Sequence, residues 1–126
     1  MLRAMGTATE PIVRAVAVVY LYVSDMERSL GFYRDMLGIP LVGDADWQEV
    51  TLGGTRFALH RAHEGIGELS AGTIHVSLEV ADADAAVERV RDAGVAVKET
   101  MRDEWGTAVQ VVDPDGYEIY LFQPPR

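Results

Sequence analysis

Apolar residues fall in short runs along the chain, and the spacing inside each run assigns it an element. Residues 15–23 (AVAVVYLYV) are apolar and rich in Val and Tyr, which predicts a buried strand. Ser24 and Asp25 then signal a helix start, because a short polar side chain can accept from the free N–H groups of a first turn. Leu30, Tyr33, Met36 and Leu37 recur at helical spacing over 26–37, and Gly38 and Pro40 end that pattern. Three further strands are predicted over 39–42, 48–52 and 56–60, with Gly53-Gly54 as the hairpin turn between the last two.

Residues 61–72 contain three glycines among mixed polar residues and read as a connection. The same order then recurs. A strand is predicted over 74–80. A helix starts at Asp82, with Ala86, Val87, Val90 and Ala93 on its inner face and Gly94 as its stop. Strands follow over 95–98, 107–112 and 117–122, and Asp113-Pro114-Asp115-Gly116 is the turn before the last. The halves register residue by residue. Asp25 matches Asp82, Leu30 matches Val87 and Tyr33 matches Val90 at a shift of 57. Gly54 matches Gly116 and Gln48 matches Gln110 at a shift of 62. The expectation is one α+β domain over 13–123 made of two βαβββ modules, about 13–62 and about 73–123, behind a flexible tail over 1–12.

The bulk properties narrow the partners. A chain of 126 residues with 48% apolar residues can bury a core without a covalent staple. It has no cysteine, which removes disulfides, thiolate metal sites and thiol nucleophiles. The net charge of −9 argues against nucleic acid, whose phosphates call for clustered Lys and Arg. No run approaches the length of about 18 apolar residues that crosses a membrane. The first ten residues lack the apolar run of a secretory signal, so the expected compartment is the cytoplasm.

Two segments carry a family resemblance. VSDMERSLGFYRDMLG at 23–38 resembles the strand-to-helix signature of the vicinal oxygen chelate superfamily, which includes glyoxalases, bleomycin-resistance proteins and extradiol dioxygenases. DPDGYEIYLFQ at 113–123 resembles its terminal hairpin. The resemblance spans about residues 13–123. It implies sheets curled around a cleft with helices on the outer face, and a homodimer in many members, with the cleft built within or between chains. It does not imply one chemistry, because a single fold hosts many.

Side chains alternate between the faces of a strand, so the cleft face can be read. In the second half Ile74, Val76, Leu78 and Val80 should pack on the helices, which leaves His75, Ser77 and Glu79 opposite. Tyr120 and Phe122 oppose Ile119 and Leu121, and His60 opposes Leu59. By the repeat, Tyr20 and Tyr22 match Ser77 and Glu79, and Gln48 follows Gln110. The expected ligand-binding residues are therefore Tyr20, Tyr22, Gln48, His60, His75, Ser77, Glu79, Gln110, Tyr120 and Phe122. Trp105, in a loop before a strand, would add a stacking ring at the cleft mouth. Trp47 falls on the opposite face by the same repeat, and His63 in the connection reads as solvated. Aromatic walls with a few polar groups suit a small-molecule ligand.

Metal-using members of the resembled superfamily take ligands from the first and fourth strands of each half. Those positions map to Val18, Ala58, His75 and Tyr120. Only His75 is a usual donor, and a catalytic ion generally needs about three protein ligands. No metal and no cofactor are expected. His60, His75 and Glu79 could form a surrogate site only if the sheet curls tightly, because Glu79 lies roughly 13 Å along the strand from His75. Three roles compete. The favoured one is metal-free binding of a small molecule, such as an aromatic or cationic antibiotic. The second is a lyase, isomerase or dioxygenase-type enzyme using a surrogate metal site or acid–base residues such as Glu79 or His75. The third is a member with a structural or regulatory role and no substrate.

Overall fold

The computed structural model of the protein describes residues 16–63 and 76–125. The first half runs β1 (Val19–Val23), α1 (Met26–Leu30), a π-helical turn over Gly31–Met36, β2 (Val42–Gly43), β3 (Trp47–Leu52) and β4 (Thr55–Arg61). The second runs β5 (Val76–Glu79), α2 (Ala83–Asp92), β6 (Val97–Asp103), β7 (Gly106–Val112) and β8 (Glu118–Gln123). Each half forms a four-stranded open sheet, in the orders β1-β4-β3-β2 and β5-β8-β7-β6. The first strand of each half lies parallel to the last, and the other pairs are antiparallel. This is the expected α+β arrangement of two βαβββ modules.

Both helices start where a carboxylate caps them. Asp25 accepts from the Arg28 N–H and Asp82 from the Ala85 N–H, both at 3.1 Å. Each cap contributes on the order of 1 kcal/mol. The first helix departs from the expected α-helix over 26–37. Beyond Leu30 its backbone widens, with Leu37 N–H bonding Phe32 C=O five residues back. That widening lets the consecutive Phe32 and Tyr33 both reach the core, where their rings stack at 4.9 Å. Ala93, expected on the inner face of α2, is exposed at its C-cap.

The strand expected over 39–42 is reduced to Val42–Gly43, because Ile39 and Leu41 turn into the core instead of pairing. β6 extends well past the expected 95–98, up to a hairpin turn at Glu104-Trp105. It is an edge strand with polar, exposed residues, so no apolar alternation marked it. The positions expected to be buried on β5 are partly so: Val76, Leu78 and Val80 pack at the margin of the core. Ile74, His75, the tail over 1–12 and most of the connection lie outside the described residues.

The helix-side faces of both sheets feed one core that joins Phe57 and Leu59 of β4 to Val109, Val111, Ile119 and Leu121 of β7 and β8. The turn at 113–117 ties the halves together. Asp113 bonds the Tyr33 hydroxyl, and Asp115 accepts from the Ser24 backbone and hydroxyl. The other face of each sheet is turned away from this core, and those two faces hold the candidate site.

Candidate ligand-binding site

The sheet register fixes which side chains share a face. Tyr20 lies beside Ala58 and Tyr22 beside His60 in the parallel pair, and Ser77 lies beside Tyr120 in the second half. These pairs reproduce the shifts of 57 and 62 read from the repeat. The third strands do not. Glu49 lies beside Ala58, whereas Gln110 lies beside Tyr120, a shift of 61. The second hairpin holds one residue more than the first between equivalent partners. A slip of one residue inverts a strand's faces.

Gln48 therefore does not join the cleft face. It lies beside Leu59 on the core side, is 7% exposed, and donates from Nε2 to Asp44 O at 3.0 Å. Trp47 and Glu49 take the outward face that the repeat denied them. The Trp47 ring meets Tyr20 at 5.4 Å and His60 at 5.5 Å. Tyr22 meets Tyr20 at 5.5 Å and His60 at 5.1 Å. His63, expected in solvent, is exposed yet joins the same group, 5.8 Å from His60 and 6.1 Å from Tyr22. The first sheet thus presents five contiguous rings, with Tyr20 still 42% exposed.

Polar contacts set the electrostatics of this face. His60 donates from Nδ1 to Arg61 O at 2.8 Å. The Tyr22 phenol is raised above its ordinary value, first by its hydrogen bond with Tyr20 and then by desolvation. Glu49 accepts from Trp47 Nε1 at 2.7 Å and from both Arg56 Nε and Nη2, at 2.7 and 2.6 Å. Chiefly through Arg56, its carboxyl is lowered to about 2. Its charge is matched within the protein by Arg56.

The second sheet presents a different face. Ser77, Gln110, Tyr120, Phe122 and Ala108 share it by register, together with Glu79, Glu118, Glu99 and Met101. Gln110 Nε2 bonds Glu118. Three glutamates stand here, with no Lys or Arg at the registered positions of that face. Trp105 is 72% exposed at the β6–β7 hairpin tip. Gly106 follows it with φ +131°, and a Cβ there would come within 2.9 Å of the Phe122 ring. The residues expected to share one cleft thus lie on two faces, Tyr20, Tyr22 and His60 on the first sheet and Ser77, Glu79, Gln110, Tyr120 and Phe122 on the second. Sequence reasoning missed Trp47, Glu49 and His63.

Of the four positions mapped for metal ligands, the three among the described residues do not suit a resident metal ion, and the fourth, His75, lies outside them. Ala58 is 0% exposed, enclosed between Tyr20 and Glu49, and carries no donor atom; Val18 has none either. Tyr120 is a phenol, a poor ligand while protonated. Among the described residues no three His, Asp or Glu side chains are grouped to hold an ion. A groove of about 790 Å³ lies elsewhere, on the core side of the sheets, between Val19, Leu52 and Phe57 of one half and Val76, Leu78 and Leu121 of the other. Ser77 and Glu79 reach its rim, but none of the five rings does. Among the described residues no helix is long and apolar enough to cross a membrane.

Known proteins share both sequence and fold with this chain. A lactoylglutathione lyase of Neisseria meningitidis serogroup A is 34% identical over 125 residues, covering 82% of this chain and 86% of that protein. TnmS3, an antibiotic binding protein from Streptomyces sp. CB03234, superposes with a TM-score of 0.73 at 28% identity, over 91% of this chain and 99% of its own. A glyoxalase/dioxygenase from Nostoc punctiforme reaches a TM-score of 0.76 at 22% identity, over 98% and 100% of the two chains, which shows the shared fold. The profile of one superfamily matches residues 13–121, nearly all of the two modules. The chain belongs to the Glyoxalase/Bleomycin resistance protein/Dioxygenase superfamily.

Proposed function

We propose that the chain is a metal-free small-molecule-binding protein that sequesters an aromatic or cationic ligand of the antibiotic kind. The observation that carries this reading is the contiguous ring face of Tyr20, Tyr22, Trp47, His60 and His63. Rings at this spacing accept a flat ligand by stacking and a cation by its attraction to the ring faces. The antibiotic-binding Streptomyces protein supports the same reading.

Under this reading the chain works as a homodimer. Both outward faces are turned away from the core, so a second copy can set the ring face of one chain against the glutamate-bearing face of the other. Ser77, Glu79, Gln110, Tyr120 and Phe122 would then supply hydrogen bonds and negative charge opposite the rings, and Trp105 would close one end. A ligand with a flat aromatic part and a positive charge suits both walls.

A second reading is a lyase of the kind found in Neisseria meningitidis, favoured by the 34% identity to that protein. It would need a surrogate metal site or acid–base residues such as Glu79 or His75. Isothermal titration with a panel of planar aromatic cations, run beside a lactoylglutathione lyase assay with divalent ions added, separates the two. Heat of binding without turnover supports sequestration. Turnover that depends on an added ion, without aromatic-cation binding, would overturn it.

A further inference from the structure

We infer that Trp47 is the stacking residue of the ring face and that Glu49, locked by Arg56, is its positioning residue. This rests on the binding role proposed for that face. An indole on a strand at a sheet's margin has rotamer freedom, and a ligand that had to order it would bind more weakly. Here both the backbone and the side chain of Trp47 are fastened before any ligand arrives.

The backbone is fixed by the loop that precedes it. Asp44 Oδ1 accepts the Trp47 N–H at 3.0 Å, and the Asp44 N–H donates to Trp47 O at 2.9 Å. Gly43 makes the approach possible. Its φ is +156°, and a Cβ there would lie 1.9 Å from Trp47 O. The side chain is fixed by Glu49, two residues on and so on the same face of β3, which accepts Nε1–H at 2.7 Å. Glu49 is in turn gripped by the two-pronged Arg56 contact from β4. A carboxylate held by a guanidinium in this fork geometry has a defined direction as well as a compensated charge. The indole is left at 56° to Tyr20 and 81° to His60.

This differs from a role for Glu49 as the counter-ion of a cationic ligand. Arg56 already neutralises that carboxylate, and Trp47 uses one of its oxygens. A glutamine in its place keeps an oxygen to accept the indole N–H but has no charge. The two roles therefore give opposite answers to Glu49→Gln.

The test uses the full chain, with Trp105 intact for titration with proflavine, a planar aromatic cation, and carrying Trp105→Phe for quenching, where Trp47 is then the sole tryptophan. Acrylamide quenching reads the exposure of Trp47, and titration reads proflavine affinity. Glu49→Leu is expected to make Trp47 more quenchable and to weaken proflavine roughly three- to tenfold, with Glu49→Gln close to the parent in both. Arg56→Leu, which frees Glu49, is expected to fall between, and it stands in if Glu49→Leu does not fold. Unchanged quenching and affinity in both Glu49→Leu and Arg56→Leu would overturn the inference. So would Glu49→Gln as damaging as Glu49→Leu, which is the counter-ion outcome. If the parent does not bind proflavine, the stacking role is refuted, and the quenching series alone still decides whether Glu49 positions Trp47.

Discussion

Tyr33 donates a 2.6 Å hydrogen bond to Asp113 Oδ2 across 80 residues of sequence, joining the first helix of one half to the last turn of the other. Both groups are buried. The other Asp113 oxygen accepts the backbone N–H groups of Asp115 and Tyr117, at 2.9 and 2.8 Å. The bond thus pins the 113–117 turn and, through it, the way the two modules meet. Tyr33→Phe leaves a buried carboxylate oxygen without its donor and should cost about 1–3 kcal/mol of stability. Urea unfolding measures this directly.

The same carboxyl makes stability depend on pH. Burial is the largest influence on Asp113 and raises its pKa, although its three hydrogen bonds oppose that shift. A carboxyl raised in the folded state binds its proton more tightly there than in the unfolded chain. Its favourable contribution is therefore full below the unfolded value near 3.9 and is lost as pH rises through the folded value. Asp113→Asn removes this penalty, while its amide can accept from the turn and donate to the Tyr33 oxygen. Relative to the parent, Asp113→Asn should gain stability as pH is raised from about 4 towards neutrality. A pH series of urea melts checks the sign of that slope.

The face assignment makes its own prediction. Gln48 points to the core and Trp47 to the ring face, so Gln48→Ala should cost about 1 kcal/mol of stability, from the lost bond to Asp44, without weakening ligand binding. Trp47→Ala and His60→Ala should do the reverse, lowering affinity for planar aromatic cations with small effects on folding. Parallel titrations and thermal melts of the three variants measure both quantities.

These predictions show where the sequence was legible. The two modules and both helix starts follow from apolar period, capping residues and the repeat. Tyr20, Tyr22 and His60 were found on one face because alternation within their strands is clear. Gln48 was misplaced because the repeat was extended through a hairpin that differs by one residue between halves. The strand's own pattern held the correction: Val50 and Leu52 are apolar, and Gln48 alternates with them. β6 was cut short because an exposed edge strand has no apolar period to read. The link from Glu49 to Trp47 and Arg56 was invisible because diagonal contacts across a hairpin depend on register.

Glu49 offers a site-specific titration. Its folded pKa of about 2 lies below the ordinary carboxyl value, so the pair with Arg56 contributes stability above the unfolded value and loses it as pH falls through the folded one. The window lies between about pH 4.5 and 2. Arg56→Leu removes the largest cause and should move the Glu49 midpoint up towards the ordinary carboxyl range. Carboxyl carbon shifts followed by NMR across that window measure the change.

The account turns on binding without a metal ion. The most direct measurement is a calorimetric titration of chelator-treated protein with proflavine, with elemental analysis of the same sample. The expected result is an affinity unchanged by chelation and lowered by Trp47→Ala, in protein with no stoichiometric divalent metal. Binding that vanishes on chelation and returns with added zinc, nickel or manganese would contradict the account.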